Sequence, residues 1–151
     1  MSLSERIQQE TVQATKARDK ARLSALRLLR SALHNREIDK RAPLSDEEVI
    51  EVLSSAVKRH KESIEQFRLG RREDLVQKEE AELQVVLSFM PEQMDEEEIK
   101  GELRSVILEL GAKGPKDLGT VMKTAMARLK GKVEGRVVQQ LARELLSSQG
   151  V

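Results

Sequence analysis

The sequence has no cysteine, tryptophan or tyrosine, and Phe67 and Phe89 are its only aromatic residues. Without cysteine there are no disulfides and no thiolate metal sites, and a reducing compartment is compatible. With so few aromatics, a core has to be built from Leu, Val, Ile, Ala and Met. That composition favours helices, because sheets draw on aromatic and β-branched side chains. No apolar run approaches the ~20 residues that span a bilayer. The opening MSLSERIQQE lacks the basic-then-apolar order of a secretory signal. These absences lead to the expectation of a cytoplasmic protein with no membrane partner.

What the sequence has in quantity is charge: 35% of residues, for a net charge of only +1. The distribution is uneven. Lys16 to Arg41 holds nine basic and three acidic residues, Arg71 to Glu102 four basic and eleven acidic, and Gly111 to Arg136 seven basic and two acidic. Local basic clusters attract anionic polymers even on a nearly neutral molecule, although a solvated helix face has the same composition.

The three prolines and most of the eight glycines fall between stretches of helical periodicity. A first helix is expected over Leu3 to about Ala17, with Leu3, Ile7, Thr11 and Ala14 on one face. Asp19 caps a second, with Leu23, Leu26, Leu29 and Leu33 widened by Ala25, Leu28 and Ala32. Ser45 and Glu48 form a capping box for a third helix, which Gly70 is expected to end in the left-handed conformation. A fourth runs to about Phe89 on Leu75, Leu83, Val86 and Leu87. Met90-Pro91 stops it. Asp95 to Glu98 opens a fifth helix, facing inward with Ile99, Leu103, Val106, Ile107 and Leu110 and ended by Gly111. A sixth begins near Asp117, and the last uses Val137, Val138, Leu141, Ala142 and Leu145. The expected fold is all-α: a four-helix N-terminal subdomain over residues 1–92, then a compact three-helix tail over 93–151.

Chemistry is sparsely represented. The only histidines are His34, on a basic helix, and His60, on an apolar stripe where a packed structural role is expected. No serine sits in a nucleophile elbow, and no glycine-rich loop has a phosphate-binding fingerprint. Glu79-Glu80 and Glu96 to Glu98 find no converging ligands in the sequence, and glutamates at a helix start are explained by the helix dipole. No catalytic residue, metal or cofactor is expected.

Nucleic-acid binding has better support. Lys116, Lys123 and Lys130 recur every seven residues, opposite Leu118, Met122, Ala125 and Leu129. On one helix they would form a stripe about 21 Å long. Lys113 precedes the stripe. Lys132 and Arg136 follow it in a turn bracketed by Gly131 and Gly135, leading into a helix N-terminus that suits phosphate. Arg27 and Arg30 are weaker candidates. The lack of aromatics argues against base stacking and for phosphate reading of a folded RNA.

Several motifs stand in order along the chain. They are Leu26-Arg27-Leu28-Leu29-Arg30-Ser31-Ala32-Leu33, Leu44-Ser45-Asp46-Glu47-Glu48-Val49-Ile50, Gly70-Arg71-Arg72-Glu73-Asp74-Leu75 and Glu79-Glu80-Ala81-Glu82-Leu83. Met90-Pro91-Glu92-Gln93, Gly114-Pro115-Lys116-Asp117-Leu118-Gly119 and Lys130-Gly131-Lys132-Val133-Glu134-Gly135 complete the series. Together they resemble the GatB/YqeY family, from about residue 3 to 149; the last motif has Val-Glu-Gly where the family commonly has Ala-Asp-Gly. The resemblance implies a helical subdomain and small tail similar to the C-terminal region of the tRNA amidotransferase B subunit, where the tail helps hold tRNA. It also carries the family label of carbon-nitrogen ligase with glutamine as amido-N-donor, although the chemistry of that enzyme resides elsewhere. The expected function is a stand-alone tRNA-binding module, acting alone or with an aminoacyl-tRNA synthetase or tRNA amidotransferase. The rival readings are a protein-interaction adaptor using Glu73 to Glu102, and an accessory subunit of such a ligase.

Overall fold

The computed structural model describes residues 1–149. Among these residues the chain is all-helical: α1 (Leu3–Ala17), α2 (Lys20–Lys40), α3 (Asp46–Leu69), α4 (Glu73–Leu87), α5 (Glu96–Leu110), a 3-10 turn (Pro115–Asp117), α6 (Leu118–Leu129) and α7 (Gly135–Gln149). None of these helices is long and apolar enough to cross a membrane. The chain divides into two compact units, Met1–Met90 and Pro91 onward.

In the first unit, helix starts are fixed locally. The Ser2 and Ser45 side chains accept from the amides of Glu5 and Glu48, whose carboxylates reach back to the amides of Ser2 and Ser45. α3 packs chiefly along α4, α4 also meets α2, and α1 lies against α2. Ile7, Leu26, Leu29, Val49, Leu53, Val86 and Phe89 form the main core, and Ile64, Val76 and Leu83 a smaller one. Each such side chain, fully buried, stabilises the unit by about 1.5–3 kcal/mol. Two expectations need correction here. Leu28 is exposed, because the buried stripe of α2 is narrower than its apolar content. Gly70 has φ −80, and Arg71 takes the left-handed conformation at φ 56, one residue later than expected. The amide of Arg72 bonds to the carbonyl of Phe67, so the helix-ending turn is closed around Arg71.

The second unit packs α5, α6 and α7 on one another. Its core contains Leu103, Val106, Val121, Ala125, Val138 and Leu146. Asp95 caps α5 by accepting from the amide of Glu98 at 2.8 Å. Gly111 ends α5 at φ 64. Leu110 is exposed, not buried as the periodicity predicts, since it lies in the last turn before that cap.

Candidate nucleic-acid interface

The basic residues of the tail are set out by two turns flanking α6. In the first, the Asp117 carboxylate accepts from the backbone amides of Lys113, at 2.9 Å, and Gly114, at 3.4 Å. The Lys113 amide is the main reason this carboxyl is held below its usual range; partial desolvation opposes it, and the Gly114 amide and the charges of Lys116 and Lys113 assist. Asp117 thus orders the loop carrying Lys113 and the 3-10 turn carrying Lys116. Pro115 starts that turn, its fixed φ suiting a first helical position. α6 then buries Val121, Ala125 and Leu129 and leaves Lys123 exposed between Thr120 and Ala127, small side chains that are also exposed.

The second turn follows Leu129. Lys130 has left the helix, with ψ 130, and Gly131 is buried at φ 83, a conformation that costs residues with a Cβ about 1–2 kcal/mol. The Gly131 carbonyl accepts from Gln93 Nε2 at 2.8 Å, and the Lys132 carbonyl accepts from the Met94 amide at 2.9 Å. Gln93 also bonds the Pro91 carbonyl at 2.9 Å. The stretch before α5 is therefore clamped to the basic turn. Sequence reasoning missed Gln93 as a positioning residue; its signal was the Met90-Pro91-Glu92-Gln93 motif, which reads as a helix stop and a family motif with no role for the glutamine side chain. Beyond the turn, Gly135 opens α7 and Arg136 is exposed in its first turn.

All six predicted cations are exposed, and they are carried by one unit. They do not form one straight helical stripe: Lys116 belongs to a 3-10 turn and Lys130 to an extended residue. A 3-10 turn rises about 2.0 Å per residue, so even spacing along one α-helix does not describe them. Among the described residues, Lys113, Lys116, Lys123, Lys132 and Arg136 make no ion pair at contact distance. Arg128 differs, because its guanidinium grips both oxygens of Glu109. That bond, more than the attraction between the charges, lowers the Glu109 carboxyl. Lys132 also lines a cleft of about 390 Å³ with Glu92, Glu98 and Glu102, so its surroundings favour phosphate less than those of Lys123 do.

In the first unit, Arg27 and Arg30 are exposed on α2. Arg27 lines a cleft of about 490 Å³ with Lys20, Ser24, Lys78, Glu79 and Glu82. Beside it is a cluster that sequence reasoning did not assemble. His60 is buried on α3, as expected of a packed histidine, with Nδ1 2.6 Å from Glu79 Oε2 and 4.0 Å from Glu82 Oε2. Glu82 is only 2% exposed, and its Oε1 accepts from Ser24 Oγ at 2.8 Å. The sequence offered no converging ligands; the packing of α3 on α4 brings three together.

The family model described as Yqey-like protein matches residues 4–146. Altered inheritance of mitochondria protein 41, mitochondrial, of Pyrenophora tritici-repentis is 29% identical over 146 residues, covering 95% of this chain and 80% of that protein. The proteins of the same name from Eremothecium gossypii and Lachancea thermotolerans are 34% and 30% identical, over 56% and 66% of this chain and 46% and 54% of theirs. These names overturn the expected cytoplasmic placement, since the relatives are mitochondrial by name. The absences that led to it do not separate the two settings: lacking cysteine and membrane-spanning runs suits any reducing aqueous interior.

Proposed function

The chain belongs to the Yqey-like protein family, and from that premise we propose that it binds folded RNA of the tRNA class through the phosphate backbone. In this reading a three-helix tail, residues 93–151, holds the RNA, and a four-helix part, residues 1–92, is the body that carries it. The observation that carries the reading is that Lys113, Lys116 and Lys123 are exposed and, among the described residues, make no ion pair at contact distance. Small side chains beside Lys123 leave room for a phosphate backbone. For the compartment, the relatives' names support a mitochondrial setting.

Phosphate contacts release counterions, so affinity falls with salt; three to five contacts correspond to a log–log slope of roughly −3 to −4 on the duplex scale. The combined variant Lys113→Gln, Lys116→Gln and Lys123→Gln should flatten that slope by about 2–3 and weaken different tRNAs to a similar degree, because phosphates carry little sequence information. Filter binding of purified tRNAs across a salt series measures both. A folded variant with unchanged affinity and slope would remove the site.

A further inference from the structure

We propose that His60, Glu79 and Glu82 form a binding site for a divalent transition-metal ion of the zinc class. This inference is independent of the RNA reading and lies in the other unit. One imidazole nitrogen and two carboxylate oxygens lie within 4.8 Å of one another. Nitrogen and oxygen donors on a zinc ion, at about 2.0–2.2 Å from the metal, stand roughly 3–4 Å apart. Seating an ion thus requires the 2.6 Å contact between His60 and Glu79 to open by roughly 0.5–1.5 Å. Rotation of the Glu79 side chain suffices for that, because Glu79 is only partly buried.

Charge and support point the same way. Two carboxylates converge on a single imidazole, and one of them, Glu82, is almost wholly removed from solvent. The contact between Glu82 Oε2 and His60 is 4.0 Å, too long for a hydrogen bond. Lys20, Arg27 and Lys78 line the adjoining cleft, yet among the described residues none of them forms an ion pair with either carboxylate. A buried carboxylate without a close cation is costly, and a divalent ion between the three groups removes that cost. Ser24, which bonds the other oxygen of Glu82 at 2.8 Å, is the outer partner that orients a ligating carboxylate. The donors sit on two helices, α3 and α4, that pack extensively on each other, so the backbone holds them in place. The mixed nitrogen and carboxylate set selects zinc and its neighbours over calcium or magnesium, which prefer all-oxygen ligands. Glu79 and Glu82 also line the cleft of about 490 Å³, which supplies an entry path and leaves a coordination position open to water.

The full-length protein, stripped with chelator, is titrated with zinc by calorimetry and with cobalt by visible absorption. The expected results are one saturable site per chain and ligand-field bands of nitrogen and oxygen coordination. Zinc should raise the thermal midpoint of the wild type. Glu79→Gln should weaken binding more than tenfold and abolish that rise, and Ser24→Ala should weaken it about tenfold. Glu80→Gln, on the exposed neighbour, should change nothing. Absence of a saturable site in the wild type overturns the proposal, whatever the variants do. So does a site whose affinity is unchanged in both Glu79→Gln and His60→Gln.

Discussion

Glu48 shows how much one half-buried surface side chain can be asked to do. Its carboxylate accepts from the Lys40 ammonium, the Ser45 amide at 3.1 Å and the Ser45 hydroxyl at 3.0 Å. The Lys40 bond is the largest reason, and the Ser45 amide the next, that its carboxyl is lowered from 4.5 to about 2. A carboxyl depressed on folding contributes stability that is fully present above its unfolded pKa and is lost as pH falls through the folded value. The window for Glu48 therefore runs from about 4.5 down to about 2. Because the group lies at the surface in reach of solvent, the contribution is screened and is best read as a change of slope. Glu48→Gln should be less stable than wild type at neutral pH, and the gap should close across that window. Urea midpoints followed by circular dichroism at stepped pH will show this; parallel curves for the two proteins would mean that the capping box contributes nothing through its charge.

At the level of elements, much was legible because the signals are local. Ser45, Asp95 and Gly111 act within a few residues of themselves, and each marks its helix end as the sequence predicts. Gly70 was misread because the turn closes on a hydrogen bond from Arg72 to Phe67, and that bond selects Arg71 for the left-handed position. Leu28 and Leu110 were misplaced because periodicity shows which residues share a face, while neighbouring helices decide how wide the buried face is. The clamp between Gln93 and the basic turn was out of reach altogether: its partners are 38 residues apart. It nonetheless yields a clear prediction. The segment from Pro91 to Asp95, which lies between the proline stop and the cap of the next helix, is tied at Gln93 and Met94 to the turn after α6. Gln93→Ala removes one of these ties, at a cost of about 1 kcal/mol. The Met94 amide should then exchange faster, and the segment should be cut sooner by a limiting protease. Equal exchange rates in both proteins would show that the Met94 bond holds the turn alone.

For the whole molecule, the same lesson separates what is readable from what is not. The cations of the tail were legible because they stand close together in sequence, whereas the His60 cluster joins residues 19 and 22 positions apart through the packing of two helices. The cores follow a simpler rule: residues from Ile7 to Phe89 form the clusters of the first unit, and residues from Ile99 to Leu146 that of the second, with no buried member in common. A unit of this size is marginal by surface-to-volume scaling, so each depends heavily on a few large side chains. Leu103 is one of these, fully buried in the second core. Truncation of such a leucine to alanine costs about 2–5 kcal/mol. In a domain of this size each kcal/mol lowers the melting temperature by roughly 4–8 °C. Leu103→Ala should therefore melt the second unit first and leave the first unit close to its wild-type transition. With no tryptophan or tyrosine to report, resolved NMR probes are needed: the Phe89 ring for one core and the Val121 methyls for the other. Separate transitions, with only the Val121 signal moving, would establish two cooperative units. If Phe89 and Val121 melt together and shift by the same amount, the second core cannot unfold alone, and a destabilised tail would carry the entire protein with it.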